Sequence, residues 1–111
     1  MDLVKPARRF DVWLVSLDPT QGSEIRKTRP SVIVSPDEMN RYLRTVIIAP
    51  MTSTQKPYPS RTNLTFQQKK GQVVADQLRT IDRARLVRRL GRISSAKAMQ
   101  LLGTLQEMFS P

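Results

Sequence analysis

Short apolar runs, separated by proline, glycine and polar clusters, fill most of this chain, and only its C-terminal stretch has helical spacing. Residues 11–17 (Asp-Val-Trp-Leu-Val-Ser-Leu) are rich in β-branched and aromatic side chains and end at Asp18-Pro19, which predicts a strand and a turn. Residues 20–28 carry Gly22, three charges of mixed sign and an isolated Ile25, the composition of a loop. A second strand, residues 31–34, follows Pro30. Ser35-Pro36-Asp37-Glu38 has the form of a capping box, with Ser35 as N-cap and Glu38 three residues on, so a short helical turn should follow. Residues 45–49 form a continuous run that predicts a strand buried on both faces, closed by Pro50. Residues 51–60 read as a proline-punctuated loop, 61–66 as a weaker strand and 67–71 as a turn. Strands at 72–76 and 88–93 follow, with a brief pairing segment at 78–81 between them. Ser94 or Ser95 then caps a helix whose Ala98, Leu101, Leu102, Leu105, Met108 and Phe109 fall on one stripe.

Many short strands followed by one helix predict a mainly β domain, a small barrel or sandwich. The chain has 111 residues, enough for one compact domain. We assign residues 1–9 to a flexible basic arm and 10–111 to a single domain. No apolar run approaches the roughly 20 residues that span a bilayer, and the start lacks the apolar core of a signal peptide. The expectation is a soluble, cytoplasmic protein that makes no use of a membrane.

Composition narrows the chemistry. There is no cysteine and no histidine. Disulfides, thiolate zinc sites and thiol catalysis are thereby excluded, and the commonest metal ligand and general acid–base is missing. The four glycines are scattered, so no phosphate-binding glycine loop exists. The carboxylates are scattered as well, and nothing in their spacing points to a two-metal site. Net charge is +10, from 19 Lys/Arg against 9 Asp/Glu, which suits a polyanionic partner. Residues 79–92 hold six arginines against one acid, Asp82. On one face they would attract phosphates; alternating, they would be solvated stems.

The candidate chemistry lies at strand ends. Arg29 precedes Pro30, which biases it toward extended backbone, and a guanidinium there can grip phosphate with its planar fork. Thr52, Ser53 and Thr54 follow the buried third strand, where hydroxyls can donate to phosphate oxygens or cap turns. Gln77 can read a base edge or bond to backbone. Trp13 is the only tryptophan, placed to serve either the core or a stacking surface.

Three blocks then fall into a familiar order: Asp11-Val12-Trp13 through Asp18-Pro19-Thr20-Gln21-Gly22-Ser23-Glu24 with Arg29-Pro30; Ala49-Pro50-Met51-Thr52-Ser53; and residues 73–82, Val-Val-Ala-Asp-Gln-Leu-Arg-Thr-Ile-Asp. Together they resemble the MazF/PemK family of toxin ribonucleases over roughly residues 9–108. The resemblance implies an SH3-like, CcdB-type barrel with a C-terminal helix, and a homodimer. It implies cleavage of single-stranded RNA at short motifs, without cofactor or metal, and an acidic antitoxin as inhibitor. It places catalysis on Arg29 and Thr52. It places Ser23, Glu24, Asp76 and Gln77 along the RNA groove, with Lys27 and Ser53 as further substrate-binding residues. The segment Ile25-Arg26-Lys27-Thr28 departs from the small residues common in relatives. Two other readings use the same fold: a gyrase-inhibiting toxin like CcdB, and a silent nucleic-acid-binding barrel.

Overall fold

The apolar runs become strands of one antiparallel sheet. A computed structural model describes residues 6–18, 21–24 and 27–111. Its elements run β1 (Asp11–Ser16), β2 (Thr28–Ile33), α1 (Asp37–Tyr42), β3 (Thr45–Thr52), β4 (Arg61–Phe66), β5 (Lys69–Val74), β6 (Arg79–Asp82), β7 (Leu86–Arg92) and α2 (Ser95–Met108). The seven strands follow the order β4-β5-β3-β2-β1-β7, with β6 paired to β3 off this path. The long β3 is the hinge of the architecture. On one edge it pairs with β2, and on the other it pairs first with β6 (Thr45 to Ile48) and then with β5 (Met51 and Thr52). The sheet curls into a half-barrel until its end strands meet. Gln67 Nε2 donates to the Leu90 carbonyl at 3.1 Å, and a Cβ on Gly91 would lie 3.2 Å from the Phe66 ring. Gly91 has φ +155, and the β1–β7 register slips beside it, a bulge that bends the edge strand inward.

Alternation along the strands makes two apolar faces. One face gathers Val12, Val32, Ala49, Met51, Val73 and Ile93 around Ala98 and Leu101 of α2. The other gathers Trp13, Val15, Leu17, Ile33, Ile48 and Leu86. Trp13 is therefore a core residue. Among the described residues, no helix is long and apolar enough to cross a membrane.

Several local expectations change. The capping box does not form. Pro36 is the N-cap of α1 without a side-chain bond, because Ser35 is buried and serves tertiary contacts. Its hydroxyl donates to Asn40 Oδ1 (2.5 Å) and accepts from the Ile47 amide (3.1 Å). Pro50 does not close β3, which runs on to Thr52. The Val34 amide donates to the Ile47 carbonyl, so 47 and 49 face β2 and Pro50 faces the other edge. There β6 has ended at Ile48 and β5 starts at Met51, so no ladder donor is lost. Lys69, Lys70 and Gly71 belong to β5, not to a turn. The reversal uses Gln67 and Gln68, both at positive φ without a glycine to mark them.

Ser94, not Ser95, caps α2, its Oγ accepting from the Lys97 amide at 3.2 Å. The stripe of α2 is buried at Ala98 and Leu101, while Met108 and Phe109 are exposed. The described end of the basic arm is tied down: the Arg9 amide donates to Asp37 Oδ1 and its Nε to the Val34 carbonyl. Residues 1–5 lie outside the described residues.

The arginine-rich segment is largely structural. Arg79 donates to the Leu17 carbonyl, Arg83 to the Leu43 carbonyl, and Arg85 to the Ser16 and Asp18 carbonyls. Arg89 and Arg92 both reach the buried Asp11 at 3.2 Å. These bonds fix chain segments, while the charges still add to the surface field.

Candidate active site

Arg29 and Thr52 lie just beyond the end of the β2–β3 ladder, next to two prolines, Pro30 and Pro50. Backbone bonding alternates along β2, and the Leu17 amide donates to the Lys27 carbonyl. Residues 27, 29 and 31 therefore face β1, where Arg29 pairs with Val15. Pro30 faces β3 and has no amide to offer it. The β2–β3 ladder accordingly begins only at Ser31 opposite Pro50. Arg29 and Thr52 each stand two residues beyond that pair. Both lie on the face that holds Ile33, Ile48 and Leu17, since Ile33 pairs with Ile48 and alternate residues share a face.

A cleft of about 250 Å³ opens on that face, lined by Leu17, Glu24, Pro50, Asp76, Gln77, Leu78 and Arg79. Three of the expected substrate-binding residues, Glu24, Asp76 and Gln77, thus converge from distant parts of the sequence. Arg29 and Thr52, both half-buried, and Ser23, Lys27 and Ser53, all exposed, stand outside the lining. Ser23 belongs to the 21–24 turn, which Glu24 closes by accepting from the Gln21 amide at 2.6 Å. Lys27 adopts φ +69 and its amide donates to Asp18 Oδ1. Thr20, Ile25 and Arg26 lie outside the described residues.

Asp76 and Gln77 sit in a 3-10 turn, Ala75–Gln77, that leaves β5 and packs on β3 and α2. Asp76 Oδ1 accepts from Ser60 Oγ at 2.8 Å and from Arg61 Nε at 3.0 Å. Burial pushes its carboxyl up. The bonds from Ser60, Arg61 and backbone, with the Arg61 charge, outweigh that and hold it below the usual carboxylate range. Asp76 therefore presents a negative charge to the cleft at neutral pH, and its ion pair weakens only as pH falls through that lowered value.

The Thr52 hydroxyl accepts from the Thr54 amide at 3.2 Å, which leaves its proton available to donate. Gly71 governs where this hydroxyl stands. A Cβ at Gly71 would lie 2.7 Å from the Thr52 carbonyl oxygen, so only glycine lets β5 come so close. Gly71→Ala should shift the Thr52 backbone and lower turnover roughly 10–100-fold. The check is steady-state kinetics beside Gly103→Ala, where an added Cβ meets nothing within 4 Å. Equal rates for the two variants would contradict the positioning role.

Sequence reading missed Leu17, Pro50, Leu78 and Arg79 as lining residues, and Ser60 and Arg61 as the holders of Asp76. No local signal marks them, because sheet curl and the arginine-to-carbonyl bond at Leu17 bring them together. Among the described residues, no three histidine, cysteine or carboxylate side chains converge as a metal would require.

Residues 8–109 match the model of the PemK-like, MazF-like toxins of type II toxin–antitoxin systems. The chain is 41% identical over 104 residues to endoribonuclease MazF9 of Mycobacterium tuberculosis, covering 85% of this chain and 88% of that protein. The fold is similar to MazF from Deinococcus radiodurans, with TM-score 0.79, 29% identity, and 96% and 97% of the two chains covered. It is also similar to a chain of the MazE–MazF complex from the same organism, with TM-score 0.74, 26% identity and 98% of each chain covered. On these matches, and with the half-barrel and terminal helix already described, the chain belongs to the PemK-like, MazF-like family of type II toxins.

Proposed function

We propose that this protein is a cytoplasmic endoribonuclease toxin that cuts single-stranded RNA at short sequence motifs and is silenced by an acidic antitoxin. The observation that supports the reading is the convergence of Glu24, Asp76 and Gln77 on one cleft that also includes Pro50, two residues before Thr52 on the same face of β3. RNA brings its own nucleophile. The 2′-oxygen bonds to phosphorus, the bond from phosphorus to the 5′-oxygen breaks, the 2′-hydroxyl loses its proton and the leaving oxygen gains one. The products are a 2′,3′-cyclic phosphate and a 5′-hydroxyl, with no metal needed to generate a nucleophile.

Negative charge builds on the phosphorane oxygens in the transition state. A guanidinium offers a planar fork of donors and no acceptor, so the role of Arg29 is to stabilise that charge from a fixed strand position. Thr52 donates its hydroxyl proton to a phosphate oxygen. Gln77 and the ionised Asp76 present donors and acceptors to base edges. The net charge of +10 draws RNA in and matches an acidic antitoxin laid along the same groove. A homodimer belongs to this reading, since Met99, Met108 and Phe109 leave apolar surface exposed at α2 for a second copy to cover.

The test is incubation of purified protein with a long single-stranded RNA, with and without EDTA, beside a gyrase supercoiling assay. Discrete cuts undiminished by chelation, with supercoiling unaffected, are the expected outcome. Loss of cutting in EDTA would refute the metal-free chemistry, and inhibited supercoiling without cuts would move the protein to the gyrase-directed toxins.

A further inference from the structure

Loop 53–60 leaves Thr52 and returns at β4, and it is pinned at two points. Gln72, buried on β5, donates from Nε2 to the Lys56 carbonyl at 2.9 Å and to Asn63 Oδ1 at 2.7 Å, and its Oε1 accepts from the Lys56 amide at 3.1 Å. One side-chain amide thus satisfies both backbone groups of Lys56, as a neighbouring strand would. At the far end the Arg61 amide donates to the Tyr58 carbonyl at 3.1 Å, and Ser60 and Arg61 are bonded to Asp76. Between the pins lies Pro57-Tyr58-Pro59, where each proline fixes its own φ. Tyr58 is nevertheless 50% exposed. The Arg61 guanidinium lies over its ring, 5.2 Å from the centroid.

A half-exposed aromatic ring on a loop pinned at both ends, with a guanidinium over it, is suited to one chemistry above others: stacking on a nucleobase. The ring is also continuous with the cleft, because the Arg61 that backs it is held by the Asp76 that lines the cleft. We propose that Tyr58, backed by Arg61, is a stacking platform for a base of the single-stranded RNA where the strand runs out of the cleft. The inference rests on the endoribonuclease reading and extends it to a subsite. Stacking accepts any base, so the platform adds affinity and leaves the choice of cut site to the cleft. The bonds at Lys56 and Tyr58 tie the loop down without RNA, which lowers the ordering cost of binding.

The experiment measures binding of a 2′-O-methylated, mixed-sequence single-stranded RNA, which lacks the nucleophile and stays intact, to wild type, Tyr58→Ala and Tyr58→Phe. Tyr58→Ala should weaken binding about tenfold, while Tyr58→Phe, which keeps the ring, should bind like wild type. Replacing single bases by abasic nucleotides supplies a readout that a loosened loop would not give. At one position the abasic RNA should weaken wild type about as much as Tyr58→Ala does, and should weaken Tyr58→Ala no further. Equal binding by wild type and Tyr58→Ala would overturn the platform, as would equal losses at every abasic position. Weakened binding of polyglutamate with RNA binding intact would also overturn it and assign the ring to an acidic protein partner. Cutting of unmodified RNA by wild type is followed in parallel. Its absence counts against the endoribonuclease reading, while the binding comparison judges the platform separately.

Discussion

Arg29→Ala should lower single-turnover cleavage by roughly 10²–10³-fold, the range seen when one fixed donor to a developing oxyanion is removed. The β1–β2 ladder should survive, because Arg29 pairs with Val15 through backbone, which alanine keeps. Arg29→Lys should recover only part of the rate, since a point charge replaces a planar two-donor fork. The cause is positional. Pro30 withholds an amide from β3 and the ladder starts at Ser31, so Arg29 stands beyond its end, where it pairs with β1. Cleavage by Arg29→Ala at the wild-type rate, with an unchanged unfolding midpoint, would remove Arg29 from the chemistry.

Leu101→Ala should cost about 2–5 kcal/mol and lower the thermal midpoint by at least about 10 °C for a domain of this size. Leu101 is 0% exposed and lies in the cluster that joins α2 to the sheet. Cutting back its side chain leaves a cavity between the helix and β4. The same helix carries its own control. Gln106 is polar and exposed, so Gln106→Ala should stay within about 0.5 kcal/mol. The helix also packs on the turn that holds Asp76 and Gln77, so loosening it should weaken RNA binding as well. Calorimetry of the two variants side by side gives the answer, and equal losses would mean that α2 is not docked through Leu101.

Much of the fold was legible because burial on a curled sheet imposes period two. β1, β4 and the apolar part of β3 stand where alternation and continuous apolar runs put them. The C-terminal helix was legible from its 3.6-residue stripe and its serine cap. The failures share one cause: tertiary partners took over a local signal. Ser35 looks like an N-cap, but its hydroxyl is claimed by Asn40 and Ile47. Pro50 looks like a strand end, but it falls where β3 exchanges one neighbour for another. Gln67 and Gln68 make a tight reversal with no glycine or asparagine, so β5 could not be seen to start at Lys69.

The site divides in the same way. Glu24, Asp76 and Gln77, which line the cleft, stand with Arg29 and Thr52 in blocks whose order is distinctive, with types suited to phosphate and base edges. The side chains that hold them were not visible. Gly71 gives no sign in sequence that its missing Cβ admits the Thr52 carbonyl. Arg61 lies 15 residues from Asp76 along the chain and meets it because β4 pairs with β5. The arginine-rich segment was ambiguous for a physical reason. A guanidinium serves a backbone carbonyl, a buried carboxylate or a phosphate equally well, and only the fold shows that carbonyls and Asp11 come first.

The central claim is that this cleft uses the 2′-hydroxyl of RNA as nucleophile, with Arg29 stabilising the charge that follows. End mapping of the cut RNA tests it most directly. Wild-type fragments made in EDTA should carry 2′,3′-cyclic phosphates and 5′-hydroxyls, and a 2′-deoxy substitution at the cut position should abolish cutting there. Fragments ending in 5′-phosphates and 3′-hydroxyls, or unhindered cutting at the deoxy position, would contradict the account.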